Sequence, residues 1–242
     1  SRKDKAEGKA LKNYYNKKKE KWEEPKMATK KEEIIEIKPL DIKTIPIRIV
    51  GDTPLIVHAW SEKAKRMMLE AQMKATKTKT KELRDPYDDF IQSMYWITEK
   101  PESTPEAFED AIKKGARFGF PVTAIKMAGN AAAYRLGWVK NQMGLRGAYF
   151  LKSECGDLAE IESDTPIMRE DMVRIGMGSA DLRYRAEYRN WSMNLELEYN
   201  ASGDYTLEQI VNIINAGGYA CGLGEWRPEK DGDFGRYHIE NA

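Results

Sequence analysis

The stretch GGYACGLGEWRPEKDGDFGRYHIE, Gly217 to Glu240, decides how the rest of the chain is read. Ahead of it lies LEQIVNIINA, apolar at helical spacing and opened by Thr206 as an N-cap, which predicts a helix ending at Gly217-Gly218. Behind it, YHIE closes the chain as a short strand. The glycines between, Gly222, Gly224, Gly232 and Gly235, let a backbone turn tightly and bring its amides close to a phosphate. No strand precedes a GxGxxG pattern here and no GK[ST] follows, so dinucleotide and nucleotide-hydrolase readings fail.

Working upstream, WSMNLELEYN alternates Trp191, Met193, Leu195, Leu197 and Tyr199 on one strand face. The span from Arg169 to Arg189 interleaves Arg174, Arg183 and Arg185 with Tyr184 and Tyr188, a pattern suited to gripping phosphates and stacking bases. Glu170, Asp171, Asp181 and Glu187 in the same span offer the other reading, arginines spent on ion pairs. AYFLKSE and DLAEIES read as strands after turns at Gly144 to Gly147 and at Gly156-Asp157, and VTAIKMAGNAAAYRLG is Ala-rich and helical. A helix from Pro105 to Lys114 is opened by Thr104. Ser61 caps another that carries Ala64, Met67, Met68 and Ala71 on one face. Residues 75 to 84 (ATKTKTKELR) form a lysine loop, either solvated or a basic finger. Strand signals cluster at Ile34 to Ile37 and from Ile42 to Val57, with alternation at Ile45, Ile47 and Ile49 and a turn at Gly51-Asp52-Thr53-Pro54. Strands and helices mixed in this order predict an α+β fold.

The chain has 242 residues, 41% of them apolar, enough for a sizeable core. Residues 1–33 form a basic arm with 12 Lys/Arg against 7 Asp/Glu, leaving 28 against 32 for a domain spanning 34–242 with an insertion around 75–115. A mildly acidic body attracts polyanions only through a local patch. Apolar runs are broken at Pro46, Arg48, Asp52 and Pro54, far short of the roughly 20 residues that span a bilayer. Cys155 and Cys221 match no metal spacing and point to a reducing, cytoplasmic setting.

A helix followed by GGYACGLGEWRPEKDGDFGRYHI resembles the closing glycine-rich loop of the RAMP superfamily, the RNA-recognition-fold proteins of CRISPR effector complexes. GFPVTAIKMAGNAAAYR is similar to that superfamily's internal motif, and IVGDTPLIV to its opening strand. The three occur in the family's order across most of Ile42 to Glu240. The resemblance implies a ferredoxin-like, RNA-recognition-type antiparallel sheet with helices and inserted loops. Closest in kind are the backbone subunits that polymerise along guide RNA, a virus-encoded relative included. It implies no cofactor, single-stranded RNA or DNA as partner, and a homo-oligomer or multi-subunit ribonucleoprotein. On this footing Lys126 and Arg135 contact the nucleic-acid backbone with the amides of Gly222 and Gly224 beside them. Ile125 and Met127-Ala128 stand where the family often has small residues, and Glu225-Trp226-Arg227-Pro228 is an insert. The region after the first strand reads VHAWSEKAK, without the aspartate that cuts target RNA in some members, so cleavage is not implied.

The expected nucleic-acid contacts are therefore Lys126, Arg135, Arg174, Arg183, Arg185, Gly222, Gly224, Trp226 and Arg227. Trp226 and Arg227 serve equally as anchors for a neighbouring protomer. No metal site is expected, because Asp88 and Asp89 are adjacent on a helix and point apart. Two other classes stay open. One is a metal-independent endoribonuclease using His58 or His238, the two histidines of the chain, which as an acid/base pair would have to meet. The other is a sequestering protein that holds a small nucleotide or a protein partner.

Overall fold

In the computed structural model, which describes residues 39–60, 62–73, 84–175 and 178–240, the alternation at Ile45, Ile47 and Ile49 becomes strand β1 (Ile42–Gly51). There follow β2 (Leu55–Val57), α1 (Glu62–Gln72), α2 (Pro86–Gln92), β3 (Tyr95–Trp96), α3 (Pro105–Lys113) and β4 (Phe118–Pro121). Next come α4 (Val122–Arg135), the single turn α5 (Met143–Arg146) in place of the expected Gly144 to Gly147 turn, β5 (Tyr149–Lys152) and β6 (Leu158–Glu160). The chain closes with β7 (Ile167–Ile175), β8 (Ser179–Tyr188), β9 (Ser192–Asn200), α6 (Leu207–Ala220) and β10 (Tyr237–Ile239). The basic arm, the Ile34 to Ile37 strand, the Ser61 cap and Lys77, Lys79 and Lys81 lie outside the described residues.

The central sheet is antiparallel throughout, in the order β10-β1-β9-β5. With α4 between β1 and β5, and α6 between β9 and β10, this is the βαββαβ arrangement of a ferredoxin-like fold. Two inserts elaborate it. Everything from β2 to β4 lies between β1 and α4, a wider span than 75–115, and β6 to β8 lie between β5 and β9. They build the small sheets β2-β8-β7 and β3-β4-β6.

One face of the central sheet is the core. Ile47, Ile49, Met193, Leu195, Leu197, Tyr149 and Tyr237 are buried beneath α4 and α6 together with Ile125, Ile210 and Ile214. The predicted face of β9, Trp191 through Tyr199, is buried along its whole length. Thr206 caps α6 with a full capping box, its side chain accepting from the Gln209 amide while the Gln209 side chain accepts from the Thr206 amide. Thr104 caps α3 with Pro105 at its start.

The end of α6 departs from expectation. The helix runs through Gly217 and Gly218 to Ala220, because these glycines are packing positions rather than terminators. A Cβ on Gly217 would lie 2.6 Å from the amide nitrogen of Gly129 on α4, so the two helices cross backbone to backbone. At the opposite margin, β10 pairs only with Ile49 to Gly51. Among the described residues, the remainder of β1 has no strand beyond it on that side, and Pro46 sits in this stretch. Among the described residues no helix is long and apolar enough to cross a membrane.

Candidate nucleic-acid interface

The loop after α6 is fastened to the first motif of the chain. Leaving the helix, Gly222 and Gly224 both adopt φ near +70° (67° and 69°). The Glu225 amide then donates to the Ile56 carbonyl on β2 (2.9 Å), and the Gly235 amide to the Pro54 carbonyl (2.8 Å). A Cβ on Gly224 would meet the Ile56 carbonyl oxygen at 2.1 Å, so glycine is what permits this approach. Thr53 accepts the Arg236 amide at its side-chain oxygen (3.0 Å), and Trp191 donates its indole N–H to the Thr53 carbonyl (2.8 Å).

Between this loop and α4 runs a groove of about 290 Å³. Ala124, Met127, Ala128 and Ala131 of α4, at helical spacing, form one wall, and Gly222 to Glu225 with Arg227 and Glu229 form the other. His58, Tyr95 and Phe120 close it. Residues from all three quoted motifs or their immediate flanks thus meet in one cleft, although they stand more than 150 positions apart at the extremes.

Charge in the groove is organised around two carboxylates. Glu229 accepts from Arg227 (Nε, 2.9 Å) and from Arg135 (Nη2, 2.5 Å). Burial pushes its carboxyl up, but the Arg227 hydrogen bond and the two guanidinium charges outweigh this and hold it below the usual carboxylate range. Glu225 is likewise held low, by His58 beside it (3.6 Å) against burial, with help from Arg185 and Arg227.

The expected contacts separate into groups. Arg135, Gly222, Gly224 and Arg227 gather at the groove, and Trp226 stands on the same loop, 38% exposed with φ +51°. The Gly222 amide, expected beside a phosphate, donates instead to the Gly217 carbonyl (2.8 Å), extending the helix end. Lys126 is on the other face of α4, two residues out of phase with the wall. Its ammonium bonds the Arg146 carbonyl (2.7 Å) and lies over the Phe150 ring (4.1 Å), and burial pushes its pKa down. Lys126 and the loop therefore do not form the joint site expected of them.

The arginines of 169–189 fall on the hairpin β7-β8, where Arg169 faces Arg185 and Asp171 faces Arg183. Arg185 is 5% exposed and bonds Asp171 (3.4 Å), which Arg169 also holds (2.8 Å). Arg183 pairs with Asp181 (2.7 Å) and Arg189 with Glu187 (2.8 Å). The ion-pair reading holds for these, and Arg185 is structural. Arg174 is exposed, without an ion-pair partner among the described residues. Arg169 also stacks on Phe234 (4.6 Å), which joins the hairpin to the terminal loop.

The two histidines stay with different partners. His58 lines the groove beside Glu225, whereas His238, on β10, contacts Asp52 (2.7 Å). Asp88 bonds Ser103 and Gln92, while Asp89 turns to Arg84. Among the described residues no group of three or more His, Cys, Asp or Glu is placed to hold a metal ion.

The open face of the central sheet offers a poor strand platform. The cleft on it is lined by Glu154, Glu160, Glu162 and Glu196 against Lys152. Glu225 and Glu229 were missed in the sequence because an isolated acid beside an arginine reads as solvated. Ala124, Ala128 and Ala131 carried the visible signal, small residues at spacings of four and three on one helix face. No protein-family model matches the chain, and no curated protein is detectably similar to it.

Proposed function

We propose that this protein binds single-stranded nucleic acid, RNA in preference to DNA, without cutting it, and assembles as repeated subunits along the strand. The observation that carries the reading is the convergence of His58, directly after the first motif, with the α4 motif and the glycine-rich loop on one groove. Arg135 and Arg227 supply cationic donors there, and the half-buried Tyr95 supplies aromatic surface. The ferredoxin-like core and the resemblance to RAMP backbone subunits favour the same conclusion.

Assembly is supported by two exposed apolar faces. Tyr134, Leu136, Trp138 and Met143 lie at and after the end of α4, and Met168, Met172 and Leu182 on the hairpin. Two different faces on one subunit suit head-to-tail contacts, which propagate rather than close. The free thiols of Cys155 and Cys221 accord with a cytoplasmic setting.

Filter binding of labelled single-stranded RNA, single-stranded DNA and duplex across a salt series tests the reading. The expected result is retention of single strands that weakens as salt rises; no retention, or retention indifferent to salt, would sink it. The same labelled RNA should remain intact on prolonged incubation. Cleavage that disappears in His58→Ala would replace this reading with the endoribonuclease one.

A further inference from the structure

A second cleft lies on the other side of Tyr95, between the end of β2 and the β3-β4-β6 sheet, with a volume of about 560 Å³. Tyr95 lines both this cleft and the groove at the glycine-rich loop. Its walls hold Trp60, Tyr95 and Trp96, with Lys65, Lys100 and Gln92, and among the described residues no carboxylate lines it. The cleft on the open sheet face is the reverse, with four glutamates and one lysine.

Three details make this cleft a receptor for a flat anionic group. Trp60 is 58% exposed and has no ring partner among the described residues, whereas Trp96 is fixed by its indole N–H to the Ile91 carbonyl (3.0 Å) and by the Phe118 ring at 4.8 Å. One indole is thus a rigid wall and the other a free stacking surface. The Lys100 ammonium bonds the neutral side-chain oxygen of Gln92 (2.8 Å), so its charge meets no carboxylate among the described residues. Burying an aromatic plane against an indole while a cation stands at the rim is the requirement of an unstacked base attached to phosphate.

From this arrangement we infer that the cleft receives one unpaired base of the bound strand, stacked on Trp60, with Lys100 at the adjoining phosphate. The inference rests on the strand-binding reading above and assigns it a second subsite, reached across Tyr95. Both side chains are exposed, so their removal leaves the fold intact.

The test measures affinity of the full chain for a single-stranded oligoadenylate across a salt series. Trp60→Ala should weaken binding by about 5- to 100-fold with an unchanged slope of log affinity against log salt, and Trp60→Phe should recover most of the loss. Lys100→Met should make that slope shallower by about 0.7, the value for one phosphate contact on a single strand. Wild-type affinity and slope in both Trp60→Ala and Lys100→Met would overturn the cleft assignment and leave strand binding standing. A loss in Trp60→Ala that Trp60→Phe does not recover would overturn stacking. Adenosine monophosphate bound as tightly as the strand, and dependent on Trp60, would make this a free-nucleotide site and overturn the strand assignment. Failure of the unaltered chain to bind the strand would overturn both readings.

Discussion

At Gly217, Gly129 and Gly218 a hydrogen does what no larger group can. A Cβ at Gly218 would lie 1.9 Å from the Tyr237 carbonyl oxygen, and one at Gly217 would press on the backbone of α4. Alanine gains about 1 kcal/mol of helix propensity over glycine, but overpacking against backbone costs about 1–3 kcal/mol, so the clash decides the sign. Gly217→Ala and Gly218→Ala should therefore lower stability in urea unfolding. Gly147→Ala, whose Cβ meets nothing within 4 Å, should be neutral or raise stability by about 0.4–1 kcal/mol. The sequence showed these glycines but not their use, because a terminator and a close-contact residue look alike until a partner helix is placed. Glu229 gives a prediction in pH. Its carboxyl titrates lower in the folded chain than in the unfolded one, so its stabilisation is complete above the ordinary carboxylate pKa of about 4.3. That contribution is lost as pH falls through the lower folded value. Urea midpoints of Glu229→Gln should lie below the unaltered chain at pH 7, and the gap should shrink as pH drops below about 4.

Among the elements, the hairpin β7-β8 shows how charge is partitioned. Its buried side joins Arg169, Asp171, Arg185 and Glu187, and its exposed tip keeps Arg174. Removing one member of a buried pair costs about 3–5 kcal/mol when the other is left uncompensated. Since Asp171 keeps Arg169, Arg185→Ala should fall near the low end of that range, measured by denaturant unfolding. Arg174→Ala should leave stability unchanged to within about 0.5 kcal/mol. The run of arginines and acids in 169–189 was visible in the sequence, but which arginine was spent and which free was not. β7 carries charge on both faces, and β8, although Leu182, Tyr184, Ala186 and Tyr188 alternate with Asp181, Arg183, Arg185 and Glu187, buries members of both sets, so alternation gave no inside and no outside. β9, whose apolar and polar residues alternate cleanly, was legible from end to end for the same physical reason.

For the whole molecule, the order of strands and helices was readable because the capped amphipathic helix α6, the alanine-rich helix α4 and the alternating strands β1 and β9 make up most of the βαββαβ core. The groove was readable only by its walls. Its residues lie on four separate stretches, and which of them share a cleft depends on how the inserts fold over the core. The described cations are largely committed to internal partners, which leaves residues 1–33, with 12 Lys/Arg against 7 Asp/Glu, as a concentrated source of positive charge. Removing this arm should weaken strand binding and flatten its salt dependence, with little effect on the unfolding midpoint of the remainder, as filter binding and urea titration would report.

The truncated partner of β1 matters for colloidal behaviour. On β1 the Gly51 amide points to β9 and donates to the Trp191 carbonyl, so the amides of even-numbered residues point the other way, toward the side that, among the described residues, β10 leaves open. Pro46 is even-numbered and has no amide to offer. An incoming strand from another molecule would find a missing donor midway along the edge it must pair with, which discourages fibril-like stacking without disturbing the ladder to β9. Pro46→Val restores that donor and should raise light scattering on storage, while dilute-solution stability changes little.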